Sequence, residues 1–429
     1  MNIQANRLQN SRQFPLIKIN MKPSSTLIDT VGRLLRARYL APLMFFFGCL
    51  GLGVRFLPWF LDLITPDMHS FLLPWTEAVH EGGFGAYGTE FSNYAPLYTY
   101  IIGLVSLLPA HLWMFGIKLA SIIGDVVLAL ATGMVTSQLC TMADKVIRRN
   151  LAYLAGVTAL FLPTVMLNSA KWGQCDVMWT ACLVFSLLFF LRDKPVWGMV
   201  WAGLALSFKM QSLFFAPVIL VLLLVKRARW WQTLIVPAVY VATCVPCVVA
   251  GRSWMSVLGV YFSQAADNSA WFCSSSSPYV FLDNIPFSQP VSTLIVAAVA
   301  LFSLWMCIIL ARRYGNLSAD GRLRLLLVFT AFCGVFYPYI LPCMHERYMY
   351  FGDIATLIAA FCIVKNLKMW AAFAFTETAS SLAVVSVLTW TKFDLTWHYI
   401  SFACATVALI FLTIALRKAI KPSDSRTDD

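Results

Sequence analysis

Between Tyr39 and Leu416 the chain returns repeatedly to apolar runs of about 15 to 25 residues, each long enough to cross or nearly cross a hydrocarbon core about 30 Å thick. Runs of that length leave few folds open. A β-barrel needs strands of about ten residues with alternating polarity, a pattern these continuous stretches do not have. Charged residues make up 12% of the chain against 60% hydrophobic, about half the charged share of a soluble globular protein. The sequence therefore predicts an all-α, polytopic transmembrane bundle. Spans are expected over residues 39–64, 115–138, 152–167, 176–191, 196–208, 213–225, 231–250, 291–311, 324–342, 350–364, 370–389 and 399–416, about twelve crossings.

The formal charge of +12 does not indicate a nucleic-acid partner once it is located. Basic residues gather in "RQFPLIKINMK" and "RLLRAR" before the first run, then in "DKVIRRN", "RDK", "KRAR", "ARRYGNLSADGRLR", "KNLK" and "RKAIK". Short basic connections mark the cytoplasmic side. The remaining connections carry most of the acids: Asp67, Glu77, Glu81, Glu90, Asp176, Asp267, Asp283, Glu346 and Asp394. This places both termini in the cytoplasm, as a segment over 1–38 and a tail over 418–429, around a membrane domain over 39–417. The basic start runs straight into a full-length apolar run, so the first helix is expected to act as its own insertion signal. A long first outer loop is expected near 65–114 and a second near 251–290. Within the first, "PLYTYIIGLVSLLPA" is too short for a comfortable crossing. Were it one, "DKVIRRN" would face outward, so a helix in the outer interface is expected instead.

Eight of the twelve cysteines, at 49, 182, 244, 247, 307, 333, 362 and 404, lie within apolar runs and read as small hydrophobes. Cys175, Cys273 and Cys343 fall near the outer face, with no pairing that the sequence decides. No metal-ligand set and no cofactor motif appears.

Four polar clusters fall on one predicted face: Asp67 after Pro66, "KWGQCD" at 171–176, "FKMQ" at 208–211, and "HERYMY" at 345–350. Ionisable groups at membrane depth are costly, which makes such residues candidates for function. His345 and Arg347 offer donors suited to a phosphate, the guanidinium as a planar fork, with Glu346 placed to orient them. Lys209 sits between two strongly apolar stretches, and Gln211 adds an amide beside it. Asp67 reads either as a general base, which must come within about 3 Å of the oxygen it deprotonates, or as a helix cap. Asp125 and Glu377 lie inside apolar runs. Asp125 is expected to pair with Lys118 or with a cation on another helix, and Glu377 to be hydrogen-bonded.

Taken together these stretches resemble the GT-C superfamily of integral-membrane glycosyltransferases. The likeness is nearest to bacterial relatives of the GPI mannosyltransferases, and more distant to the dolichyl-phosphate-glucose enzymes of N-glycan assembly. It rests on "PDMHSFLLPWTEAV" with "FSNYAPLYTYI", "KLASIIGDVVLA", "KWGQCDVMW", and "FKMQSLFFAPV" with "MHERYMY", in that order. The resemblance implies a polyprenyl-phosphate hexose donor, mannose or glucose, and a glycan, lipid or protein acceptor. It implies Asp67 as general base, with Glu90 as an alternative, and Lys209, His345 and Arg347 around the donor phosphate. Asn93, Tyr94, Trp172, Gln174 and Asp176 would shape the pocket, with Gln211, Glu346 and Tyr348 beside it, and the aromatics Trp75 and Tyr87 suit sugar faces. It further implies an inverting reaction at the periplasmic face of a bacterial inner membrane. A transporter or flippase of a lipid-linked sugar is the rival reading; it would use Asp125, Lys209 and Glu377 as midplane coupling charges. The missing internal repeat and the one-sided polar clusters favour the enzyme.

Overall fold

A computed structural model describes residues 34, 36–139, 145–266, 270–363, 366–389 and 395–421. Most of the segment expected over 1–38, most of the tail over 418–429, and the acids Asp267 and Asp394 lie outside the described residues. The chain is all-helical: α1 Leu40–Val54, α2 Pro58–Leu61, α3 Leu73–Gly82, α4 Pro96–Val105, α5 Trp113–Leu139, α6 Lys145–Phe161, α7 Pro163–Met166, α8 Asp176–Leu191 and α9 Pro195–Phe208. It continues with α10 Ala216–Leu224, α11 Ile235–Val249, α12 Trp254–Leu258, α13 Val260–Ala266, α14 Gln289–Tyr314, α15 Ala319–Ile340, α16 Tyr350–Cys362, α17 Leu367–Leu388 and α18 Thr396–Ala419. Among the described residues, β pairing is confined to isolated bridges from His345 to Cys273 and Ser274.

All twelve expected runs are helical, but fewer have the length to cross. Six helical stretches are long and apolar enough: Ala110–Leu139, Trp230–Val249, Gln289–Tyr314, Ala319–Ile340, Leu367–Leu388 and Thr396–Ala419. A seventh arises if Lys145–Phe161 and Pro163–Trp172, bent by 55°, form one broken span. The remaining apolar helices have 10 to 17 residues, about 15 to 26 Å of helix at 1.5 Å per residue. Proline and buried polar residues cut these runs short. α4, the helix within "PLYTYIIGLVSLLPA", is one of these shorter helices.

The first run shows how the breaks are made. α1 stops at Val54 because Arg55 turns inward, where its Nε meets Asp125 Oδ2 on α5 at 2.7 Å. Its Nη1 and Nη2 donate to the carbonyls of Gly51 and Leu160, and Ser169 Oγ adds a 2.5 Å bond to the same Asp125 oxygen. The cation that Asp125 takes is thus Arg55, on another helix. Lys118 does a different job: its Nζ donates to the carbonyls of Phe60, Leu61 and Leu63 at 3.1, 2.7 and 2.9 Å, satisfying the end of α2. Helix ends away from water need such partners. The break between α6 and α7 follows the same logic. Pro163 opens α7, and Glu377, reaching from α17, accepts from Thr164 N at 3.1 Å and from its hydroxyl at 3.0 Å.

α16 is the centre of the bundle. All thirteen of its residues are buried, and it packs against α5, α6, α7, α8, α15 and α17. Its approach to α15 depends on two glycines, since a Cβ on Gly352 would stand 2.7 Å from Gly334 O. α14, by contrast, keeps Leu294, Leu301 and Trp305 exposed, as expected of a helix that faces lipid. The loop over residues 341–349 leads directly into this buried helix.

Candidate functional site

Asp67 lies just before a π-helical turn over Met68–Leu72. The cap of that turn comes from Thr65, whose Oγ1 accepts from Met68 N at 3.2 Å, and Asp67 makes no capping bond. Its carboxylate is therefore free for other partners. Gln174 Nε2 donates to Asp67 Oδ2 at 2.5 Å, and Tyr94 OH reaches Gln174 Oε1 at 3.4 Å.

Gln174 is placed by the broken helix. A second π-helical turn, Leu167–Trp172, ends at Gly173 with φ of +77°, a backbone conformation that glycine reaches without strain. A Cβ there would also meet Met68 Cε at 2.8 Å. Gln174 N then donates to Asn168 O, and Ser121 Oγ donates to Gln174 O. Two residues on, Asp176 opens α8 fully buried, and Asn168 Nδ2, Trp179 Nε1 and Lys209 Nζ donate to it at 3.0, 3.0 and 2.6 Å. Lys209 takes an extended backbone between α9 and the 3-10 turn Met210–Phe215. Its ammonium sits 5.6 Å from the centre of the Tyr94 ring and 5.4 Å from that of Tyr348.

Arg347 ties these parts together. Its Nη1 donates to Glu346 Oε1 at 2.7 Å and stands 3.4 Å from Asp67 Oδ2, while its Nε is 3.5 Å from Asp176 Oδ2 without a hydrogen-bond partner. The guanidinium carbon lies 5.1 Å from the Trp172 ring centre. Burial works against the Arg347 charge, but the surrounding Glu346, Tyr94, Asp67 and Asp176 outweigh it and hold the group protonated well above its usual range. For Glu346 burial acts upward on the carboxyl, and His345 and Arg347 together bring it below the ordinary glutamate value. His345 is the open member: its side chain is 45% exposed, with Nδ1 3.7 Å from Glu346 Oε2.

These groups surround a cavity of about 580 Å³, a size typical of small-molecule sites. Of the residues singled out from sequence, Asp67, Asn93, Tyr94, Trp172, Gln174, Lys209, Gln211, His345, Glu346, Arg347 and Tyr348 line it. Asp176 lies behind the wall as the shared partner of Lys209 and Arg347. Glu90 stands apart from the lining, exposed and bonded to Ser256 Oγ. Trp75 lines the cavity and Tyr87 does not.

Several wall residues went unnoticed in the sequence. Tyr261, Gln264 and Ser274 come from the stretch 251–290, where nothing in the sequence marks one polar residue over another. Asn168 and Arg55 carried a readable signal, an amide and a cation inside apolar runs. Among the described cysteines, Cys175, Cys273 and Cys343 form no disulfide with one another, and Cys182, Cys244, Cys247, Cys307 and Cys333 are buried as small hydrophobes in the bundle.

The architecture defines a polytopic membrane protein with a partly open cavity lined by charged, polar and aromatic side chains. Residues 91–342, more than half of the chain, match Glycosyltransferase family 87, and the chain belongs to that family, a GT-C-type family of membrane glycosyltransferases. No curated protein matches it. The matched stretch contains Asn93, Tyr94, Trp172, Gln174, Asp176, Lys209 and Gln211, while Asp67, Glu90 and the 345–348 cluster fall outside it. Family membership therefore carries the glycosyltransferase activity, and the geometry alone must carry the roles of Asp67 and Arg347.

Proposed function

We propose that this glycosyltransferase moves a hexose, mannose or glucose, from a polyprenyl-phosphate donor to a hydroxyl of a glycan, lipid or protein, with Asp67 as general base and with inversion at the anomeric carbon. The observation that carries the reading is the contact of Arg347 with Asp67 at 3.4 Å in one cavity. A base and a phosphate-binding cation from opposite ends of the domain share one site. At 3.4 Å the guanidinium and the carboxylate pair with each other. A donor phosphate competes for Arg347, whose Nε is unspent, and for the exposed His345. Drawing Arg347 onto the phosphate releases Asp67 to accept the acceptor's proton. Both Asp67 contacts fall on Oδ2, which leaves Oδ1 to face that hydroxyl. Lys209, locked to Asp176 at 2.6 Å, contributes its charge from behind. Charge developing on the departing phosphate is stabilised by cations already in place, which lowers the barrier without reorganisation.

The direction of the helices supports an exoplasmic site. α8 begins at the cavity with Asp176 and ends at Arg192, α10 runs from the cavity side to the basic 226–229 connection, and α16 runs from "HERY" toward Lys368. Basic connections thus gather opposite the cavity, where Arg227 pairs with Asp193 at 2.9 Å. By the positive-inside rule that end faces the cytoplasm and the cavity faces the periplasm of a bacterial inner membrane. The transporter reading loses its mobile charges, since Asp125, Lys209 and Glu377 are each fixed by Arg55, Asp176 and Thr164.

The test is a donor panel on purified protein in nanodiscs, comparing labelled polyprenyl-phosphate mannose and glucose with the matching nucleotide sugars. Transfer from a lipid-phosphate sugar only is expected. Turnover with nucleotide sugars alone would refute the donor class.

A further inference from the structure

Behind the cavity, three elements bring two acids together inside the bundle. Asp353 lies one turn into α16, and Glu377 lies midway along α17; both are buried. Glu377 accepts from Thr164 N and Oγ1 at the α6–α7 break and from Ser381 Oγ at 3.2 Å. Asp353 is held more loosely: the hydroxyls of Ser380 and Thr164 act on its carboxylate without a bond of ordinary length. Neither of its carboxylate oxygens has a hydrogen-bond partner, and Ser380 Oγ, also buried, has none either. The charge acting most strongly on Asp353 is Glu377, with the hydroxyls of Ser380 and Thr164 beside it. Among the described residues no lysine, arginine or histidine pairs with either acid. The next titratable group is Tyr350, one turn earlier on α16, and beyond it lies the Arg55–Asp125 pair, closed on itself.

Two carboxylates without a cation in a low-dielectric interior cannot both remain ionised and uncompensated. We propose that Asp353, Glu377, Thr164 and Ser380 form a site for one compensating monocation, an alkali ion or a proton. The donor set is all oxygen, which suits a hard cation. The unsatisfied atoms, Asp353 Oδ1 and Oδ2 with Ser380 Oγ, are those an occupant would engage. The site joins α16 and α17 to the start of the broken helix that carries Asn168 and Trp172, so its occupant holds the cavity's rear wall. This inference is independent of which donor the enzyme uses.

The test is thermal unfolding of the full chain in nanodiscs, in N-methylglucamine buffers, with added sodium or N-methylglucamine chloride, at mildly acidic and mildly alkaline pH. With an alkali ion as occupant, sodium raises the Tm of the wild type by a few degrees at alkaline pH. With a proton as occupant, acid raises it and sodium does not, because a folded state that binds more protons than the unfolded chain loses stability as pH rises. In either case Asp353→Asn and Glu377→Gln lose the dependence. Should either variant fail to fold, infrared spectroscopy of the wild type reads the carbonyl stretch of a protonated carboxyl and its response to sodium. A wild type that lacks both that band and a sodium response overturns the proposal, as do variants that respond like the wild type.

Discussion

Asp67→Asn is expected to cut sugar transfer by about 10²- to 10⁴-fold, the usual contribution of a positioned general base, while donor affinity and folding stay close to wild type. The side chain is isosteric, and the turn after it is capped by Thr65, so the substitution leaves the backbone intact. The new amide loses the proton-accepting oxygen and also weakens the contact with Arg347, which frees the guanidinium for phosphate. Donor affinity should therefore hold or rise as turnover falls. Steady-state kinetics with a separate donor-binding measurement reads both. A variant with more than about a tenth of wild-type turnover leaves no room for a base worth that factor.

Arg55→Met is expected to be the most damaging single change to the fold. It strands Asp125, fully buried, with Ser169 as its hydrogen-bonding partner, and removes the donors to Gly51 O and Leu160 O. Breaking a buried pair on one side costs about 3–5 kcal/mol. Removing both charges is a different matter, because a well-packed apolar pair is often neutral. Arg55→Met with Asp125→Leu should recover much of the loss, short of full recovery because the two carbonyls remain unserved. Comparing yield and Tm of the single and double variants measures the pairing. If the single variant is as stable as wild type, the pair is not what fixes the break after α1.

Which parts of this were legible in the sequence follows from cost. Charged groups beside apolar runs are expensive, so Asp67, Lys209, His345, Glu346 and Arg347 stood out and converge in space. Asp176 was legible as a polar residue, yet its position as a buried hub between Lys209 and Arg347 was not, because that depends on how α8 packs beside the 345–348 loop. Six or seven helices have the length and apolarity to cross, where the sequence led to about twelve, for a related reason. Apolar content marks a run as buried, but the length of each helix is set by its breaks at Arg55, Pro163 and Lys209, and breaks are stabilised by residues far away in sequence. Glu90 shows the limit on the other side. An acid in a loop of mixed polarity looks much like Asp67 in sequence, and only the fold turns one toward Gln174 and the other toward Ser256.

The central claim is that acceptor and phosphate meet the sugar from opposite sides, with one carboxylate and no covalent intermediate. Nuclear magnetic resonance of the product, made from a polyprenyl-phosphate hexose of known anomeric configuration, tests it most directly. The new glycosidic bond should carry the opposite configuration to the donor, and a product with the donor's configuration retained would contradict the account.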